Sequence, residues 1–297
     1  MGPAVLKVLM IGNSFSICVL NYTPQVVAEM GRKMDLCSLY IGGCPLVSHA
    51  ANIAAGGYDY HRPYLVTWHY DSLDDQTNAP FAHLLGGNDH NMGNIPQLLA
   101  SDKWDIVTIQ QASHESWRPE SFHPWADLVI EAIRRHAPQA RIVIQQTWSY
   151  CNADGRIYDR TTGGPGKWGF DQAGMYERLT TNYLALAKDK GFGIIPVGKA
   201  VQLYRERRGS TDMGDDVVGN IAKDENGEYQ GDSIHLNKDG EYLQACVWAE
   251  TLFGVDARSL TTVPDNLKTP ANAKLLRECA HDAVVSFADM QPRKQAD

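Results

Sequence analysis

At 297 residues the chain is long enough to bury a substantial core, as one large domain or two small ones. Hydrophobic residues make up 43% and charged residues 21%, which excludes a disordered chain. Twenty-seven Lys and Arg against 35 Asp and Glu leave a net charge of −8, which opposes the counterion release that drives nucleic-acid binding, so no nucleic-acid partner is expected.

The first residues run straight into a strand pattern, without a basic region, an apolar run and a small-residue cleavage site, so no signal peptide is expected in the chain as it stands. The compartment is left open: cytoplasmic by default, secreted or periplasmic if a leader had been trimmed. Apolar stretches such as 8–11 and 193–197 are far shorter than the roughly 18 to 20 residues a membrane span needs. Six cysteines without CxxC spacing (Cys18, Cys37, Cys44, Cys151, Cys246 and Cys279) read as buried free thiols.

Residues 7–11 form a short apolar run that ends at Gly12-Asn13-Ser14, and 22–32 read as a helix, giving a strand, turn, helix opening. A second strand over 35–41 closes at Gly42-Gly43. The Gly- and His-rich stretch 44–94 has no sustained period and reads as an elaborated loop region with short helices. Strands follow at 104–109 and 140–144, with a helix over 128–136 between them and Pro138 as the break. A polar loop over 150–169 leads into an amphipathic helix at 172–190, then a fifth strand at 193–197 and a last helix at 238–253. The segment after Gly254 reads as peripheral, and 291–297 as frayed.

Five strands alternating with helices predict an α/β/α three-layer sandwich around a five-stranded parallel sheet, because parallel strands need crossover connections that cover both faces. A single domain over 1–297 is expected, with its core at about 5–255 and a peripheral C-terminal segment at about 256–297. Ligands of such sheets bind at the carboxyl ends of the strands, where the strand order reverses. The residues expected there are Asn13 and Ser14, Gly42 and Gly43, Gln110, Gln111 and Ser113, and Gln145, Gln146 and Thr147.

Ser14 sits in a strand-to-helix turn, where its hydroxyl and the following N–H groups would face one space. That suits a nucleophile beside an oxyanion hole, and equally a helix-capping serine. Near the other end, Gly231-Asp232-Ser233-Ile234-His235-Leu236-Asn237 precedes the last helix. An Asp three residues before a His on a turn can bond imidazole Nδ1 while Nε2 faces a hydroxyl; the alternative is a polar loop with Asn237 as the cap.

Taken together, Val8-Leu9-Met10-Ile11-Gly12-Asn13-Ser14-Phe15-Ser16 and Asp232-Ser233-Ile234-His235-Leu236 resemble the first and last blocks of the SGNH (GDSL-type) hydrolases. Asn13 stands where many members have Asp. Gly42-Gly43-Cys44-Pro45-Leu46, the strand running into Gln110-Gln111-Ala112-Ser113, and Ile195-Pro196-Val197-Gly198 further resemble a branch known mainly as a domain of uncharacterised function.

The resemblance implies a flavodoxin-like sandwich and ester hydrolysis with no metal or other cofactor. Ser14 would be the nucleophile, His235 the base and then acid, and Asp232 the group that orients His235. The backbone N–H groups of Ser14 and of Gly43, in preference to Gly42, would hold the oxyanion. The family's third block ends in Gly-x-Asn-Asp, and its Asn supplies a third donor. Here Gln110, or failing that Gln111, is expected in that role.

Other residues weigh less. His49, His61, His69, His83 and His90, with Asp71, Asp74, Asp75 and Asp89, lack zinc-ligand spacing, so no metal is expected. Trp68, Trp117, Trp125, Trp148, Trp168, Tyr58, Tyr60, Tyr64 and Tyr150 lie in or near the loops expected at the carboxyl edge, where they suit sugar faces or simply loop packing. Gly163-Gly164-Pro165-Gly166-Lys167 lacks phosphate-loop spacing and reads as a flexible loop. The expected function is hydrolysis of small acyl esters, chiefly O-acetyl groups on a carbohydrate. The alternatives are a long-chain or thioester hydrolase with the same three residues, and a carbohydrate-binding protein without turnover. The oligomeric state is left open.

Overall fold

The computed structural model describes residues 4–56, 64–86, 92–208, 217–226 and 228–290. In chain order the elements are β1 (Val5–Gly12), α1 (Ser14–Ile17), α2 (Val19–Glu29), β2 (Lys33–Tyr40), α3 (Leu46–Ala54), β3 (Tyr64–Tyr70), β4 (Met92–Gly93), α4 (Ile95–Ala100), β5 (Ile106–Ile109), α5 (Trp125–His136) and β6 (Arg141–Gln145). There follow β7 (Tyr158–Asp159), β8 (Gly164–Pro165), α6 (Gln172–Lys190), β9 (Gly193–Ile195), α7 (Val197–Arg208), β10 (Val218–Lys223), β11 (Tyr229–Leu236), α8 (Lys238–Phe253) and α9 (Ala273–Ser286).

The main sheet has the order β4-β3-β2-β1-β5-β6-β9. Its five strands β2, β1, β5, β6 and β9 run parallel, as the alternating pattern predicts. β1 lies in the middle, so both its faces are covered and Val8, Leu9 and Met10 are wholly buried. That explains a continuous apolar run in place of an alternating one. α3 and α4 pack on α5, while α2 packs on α8, and α8 and α7 on α9.

The structure departs from the sequence reading in four places. The stretch 44–94 is not only loop and short helix: β3 and β4 extend the sheet antiparallel beyond β2, making it a seven-stranded mixed sheet. Burial there is irregular along β3, so no clean period of two marked it. Asp232 and His235 lie on β11, paired antiparallel to β10, and not on a turn. The glycines at 163–166 close the short β7–β8 hairpin.

Finally, the segment after Gly254 is not peripheral. α9 buries Leu276, Cys279, Ala280 and Ala283 in the core, and a buried leucine contributes about 1.5–3 kcal/mol. The expected frayed tail 291–297 lies outside the described residues. All six cysteines are free thiols, five of them buried. Among the described residues no helix is long and apolar enough to cross a membrane.

Candidate active site

Strand order reverses between β1 and β5, because the chain first builds outward through β2 and then returns to β5 on the other side of β1. The carboxyl ends of these two strands frame a cleft lined by Asn13, Ser14, Phe15, Gly43, Ala112, Ser113, His114, Tyr150, Arg156 and Ile234. It encloses only about 70 Å³.

Ser14 is brought there by the end of β1. Asn13 is extended, and its Oδ1 accepts the Phe15 N–H at 3.0 Å, which starts α1 at Ser14. From 221 residues further along the chain, His235 reaches Ser14 with Nε2 2.8 Å from Oγ. Its Nδ1 lies 2.6 Å from Asp232 Oδ2. The other Asp232 oxygen accepts the N–H groups of Ile234 at 2.8 Å and His235 at 3.0 Å, so the carboxylate is locked to its own strand. Burial opposes its ionisation, but these two N–H bonds and the imidazole outweigh it and hold the Asp232 carboxyl below its ordinary range.

Ser14 and Gly43 both line this cleft. Gly43 has φ 64°, a left-handed conformation that side-chain-bearing residues rarely adopt. Among the described residues, neither the Gly43 nor the Ser14 N–H donates to another group. Phe15 fixes the floor by stacking on Trp148 with ring centroids 4.0 Å apart, and it meets His235 edge-on at 5.6 Å.

Gln110 does not take the place expected for it. It is buried beneath the turn that carries Ser14, with its Nε2 donating to Asn13 Oδ1 at 2.7 Å and its Oε1 accepting from Gln145. Gln145 and Gln244 in turn donate to the Phe15 carbonyl at 2.7 and 3.0 Å, and Trp248 Nε1 donates to Gln145 Oε1 at 2.7 Å. This satisfied amide network props up the turn that carries Ser14. Gln111 is also committed: its Oε1 accepts from Leu46 and Ala112, and its Nε2 donates to Ser121. Gln146 and Thr147 likewise bond within the packing, to Thr180 and Tyr183.

The chain continues past β5 before it turns, so the residues that reach the cleft are Ala112, Ser113 and His114. Ser113 is where the sequence placed it, while Ala112 and His114 were not expected there. Also missed were Arg156 and Ile234. Arg156 is held by Asp154 through Nε at 2.8 Å and Nη2 at 2.5 Å, and lies over the Tyr150 and Trp168 rings. Asp154 also accepts from Ser233 Oγ at 2.8 Å, which ties the 150–169 segment to the strand bearing Asp232 and His235.

The aromatic residues divide. Tyr150 lines the cleft, Trp168 lies 5.8 Å from it and Trp117 5.4 Å from Trp168. Trp68 packs on Phe81, Tyr64 on His49, and Trp148 beneath Phe15; Trp125 opens α5. Tyr58, Tyr60, His61, Asp89 and His90 lie outside the described residues. His49 is buried against the Tyr64 hydroxyl at 2.7 Å, and burial pulls its pKa down to about 3. His69 pairs with Asp71 at 2.9 Å, and His83 sits on a short 3₁₀ turn.

Among the described residues, one trio brings potential metal ligands together: Glu250, Asp256 and His281. Its atoms already have partners. His281 Nδ1 lies 2.8 Å from Glu250, and Arg258 pairs with Asp256 at 2.6 Å. The Arg258 guanidinium, against slight burial, together with the Arg258 N–H and His281, holds the Asp256 carboxyl at about 2 from its ordinary 3.8. A depressed carboxyl stabilises fully above its unfolded pKa and loses that contribution as pH falls through its folded pKa. The native chain should therefore lose urea stability between pH 3.8 and about 2 more steeply than Asp256→Asn does. Parallel slopes in urea melts would contradict this assignment.

A family model described as Domain of unknown function (DUF4886) matches residues 7–283. Among solved structures, a DUF4886 family protein from Bacteroides uniformis ATCC 8492 aligns at TM-score 0.70 and 24% identity, over 97% of this chain and 98% of that one. A candidate GDSL-like lipase from Parabacteroides merdae ATCC 43184 aligns at 0.46 and 11% identity, over 84% and 96%. Phospholipase A1 from Streptomyces albidoflavus NA297 aligns at 0.42 and 11% identity, over 80% and 95%. No curated protein matches the chain.

Proposed function

The chain belongs to the family described as Domain of unknown function (DUF4886), and within that family we propose that it is a serine esterase cleaving small acyl esters, chiefly O-acetyl groups on a carbohydrate. The observation that carries the reading is the unbroken relay from Asp232 through His235 to Ser14 Oγ, at 2.6 and 2.8 Å.

In this reading Ser14 Oγ attacks the ester carbonyl carbon while His235 Nε2 takes its proton, and the carbonyl electrons move onto oxygen. The Ser14 and Gly43 N–H groups meet that oxyanion. Collapse expels the sugar alkoxide, which takes the proton from His235 and leaves an acyl-Ser14 ester. Water, deprotonated by His235, then cleaves the acyl group and restores the serine. Asp232 keeps the proton on Nδ1, so that Nε2 is the acceptor in each first half-step.

The small acyl group follows from size. The cleft encloses about 70 Å³ between Phe15, Tyr150 and Ile234, far below the roughly 300–1,000 Å³ of sites that take drug-sized ligands. Sugar is favoured by the polar wall that Arg156 gives the cleft and by the half-buried Trp168 beside Tyr150. A series of p-nitrophenyl esters from acetate to decanoate should show kcat/KM greatest at acetate and falling beyond butyrate. A maximum at long chains would replace this reading by a lipase-like one.

A further inference from the structure

We infer that His114 is the third oxyanion donor of this site, supplying from an imidazole N–H the bond that the glutamines at the end of β5 cannot. The inference rests on the acyl-transfer reading above, since it names a residue of that same cleft.

Three observations carry it. First, both expected side-chain amides are engaged with partners within the fold. The Gln110 amide holds Asn13 and Gln145, and the Gln111 amide holds Ser121, Leu46 and Ala112. Second, His114 shares the cleft wall with Ser14 and Gly43, on the segment that leaves β5 beside β1. All three residues line one cleft of about 70 Å³, so a group bound there is within the space that they share. Third, His114 makes no hydrogen bond to any described residue, whereas the neighbouring Ser113 hydroxyl is paired with Tyr150 at 2.9 Å.

Its protonation suits the role. Half-burial lowers the His114 pKa; Glu115 pulls it upward, and Arg156 and Arg118 push it down again. The ring is therefore neutral near pH 7 and owns one N–H and one bare nitrogen. A neutral donor strengthens its bond as charge builds on the carbonyl oxygen, without giving up its proton. It leaves His235 as the single base: the Ser14 proton moves to His235, the new C–O bond forms at Ser14, and the displaced π electrons rest on an oxygen that His114 only solvates.

The test compares kcat and KM for p-nitrophenyl acetate in the native enzyme, His114→Ala, His114→Asn and Ser14→Ala. Removing one preorganised donor should cut kcat on the order of 10² to 10³ in His114→Ala, with KM changed little. His114→Asn restores an N–H at that wall and should regain most of the loss, a rescue that a packing role would not give. Equal impairment of the Ala and Asn variants, with both folded by circular dichroism, would overturn the inference. So would a His114→Ala kcat within about twofold of native, far inside the loss expected for a lost donor. In both cases Ser14-dependent native turnover would leave the esterase reading standing. A native enzyme with no Ser14-dependent turnover on any acetyl ester would overturn both.

Discussion

Ser14→Ala should abolish ester hydrolysis, with kcat lowered by as much as about 10⁶, as when the nucleophile of a serine hydrolase is removed. The residual rate would be what the backbone donors and substrate binding supply to attack by water. The fold should survive the change. Ser14 Oγ has one hydrogen bond, to His235, and a typical bond of this kind is worth about 1 kcal/mol net. The turn itself is held by Asn13, Gln110, Gln145 and Gln244, none of which touches that hydroxyl. Paired measurements of turnover and urea midpoint separate the two effects. Equal turnover in both proteins would put the chemistry on another residue.

Asp232→Asn is the second large effect, with kcat expected to fall about 10⁴-fold while KM moves little. The geometry says why an amide of the same shape fails. Asp232 Oδ1 is committed to the N–H groups of Ile234 and His235, so an Asn must keep its oxygen there and turn its NH2 toward imidazole Nδ1. Two donors would then meet, unless the ring moves its proton to Nε2. That tautomer presents N–H to Ser14 Oγ and cannot accept the serine proton. Asp232→Ala should leave a water to fill the gap and permit the working tautomer, so it is expected to retain more activity than Asp232→Asn. An Asn variant at native kcat would remove Asp232 from the mechanism.

The parts of this molecule that were legible in advance have short-range causes. Helices α6 and α8 have the bounds that the sequence indicated, because Asp171 and Asn237 cap their starts by bonding the first free N–H groups, and Gly191 and Gly254 end them. The five parallel strands announce themselves as apolar runs between turn residues. β3 did not, because a strand buried unevenly on its two faces has neither a continuous run nor a clean alternation. α9 was misread for another reason. Its charged residues are conspicuous, while its buried face is made largely of alanines and a cysteine, whose small side chains give a weak pattern.

At the site the same division holds. A Ser after the first strand and an Asp three residues before a His are visible in the linear sequence because each belongs to a local motif. Nothing local could say what Gln110 does. Its position at the end of β5 suits an oxyanion donor and a structural prop equally well, and the choice falls to Asn13 and Gln145, the latter held in turn by Gln244 and Trp248. The parallel core of the sheet, the bounds of α6 and α8 and the candidates Ser14, Asp232 and His235 could be read from the linear chain, since propensity, capping and short spacing act within a few residues. Which strand-end side chains are spent on buried hydrogen bonds and which line the cleft depends on the packed fold, because a buried amide is satisfied by whatever the fold brings beside it.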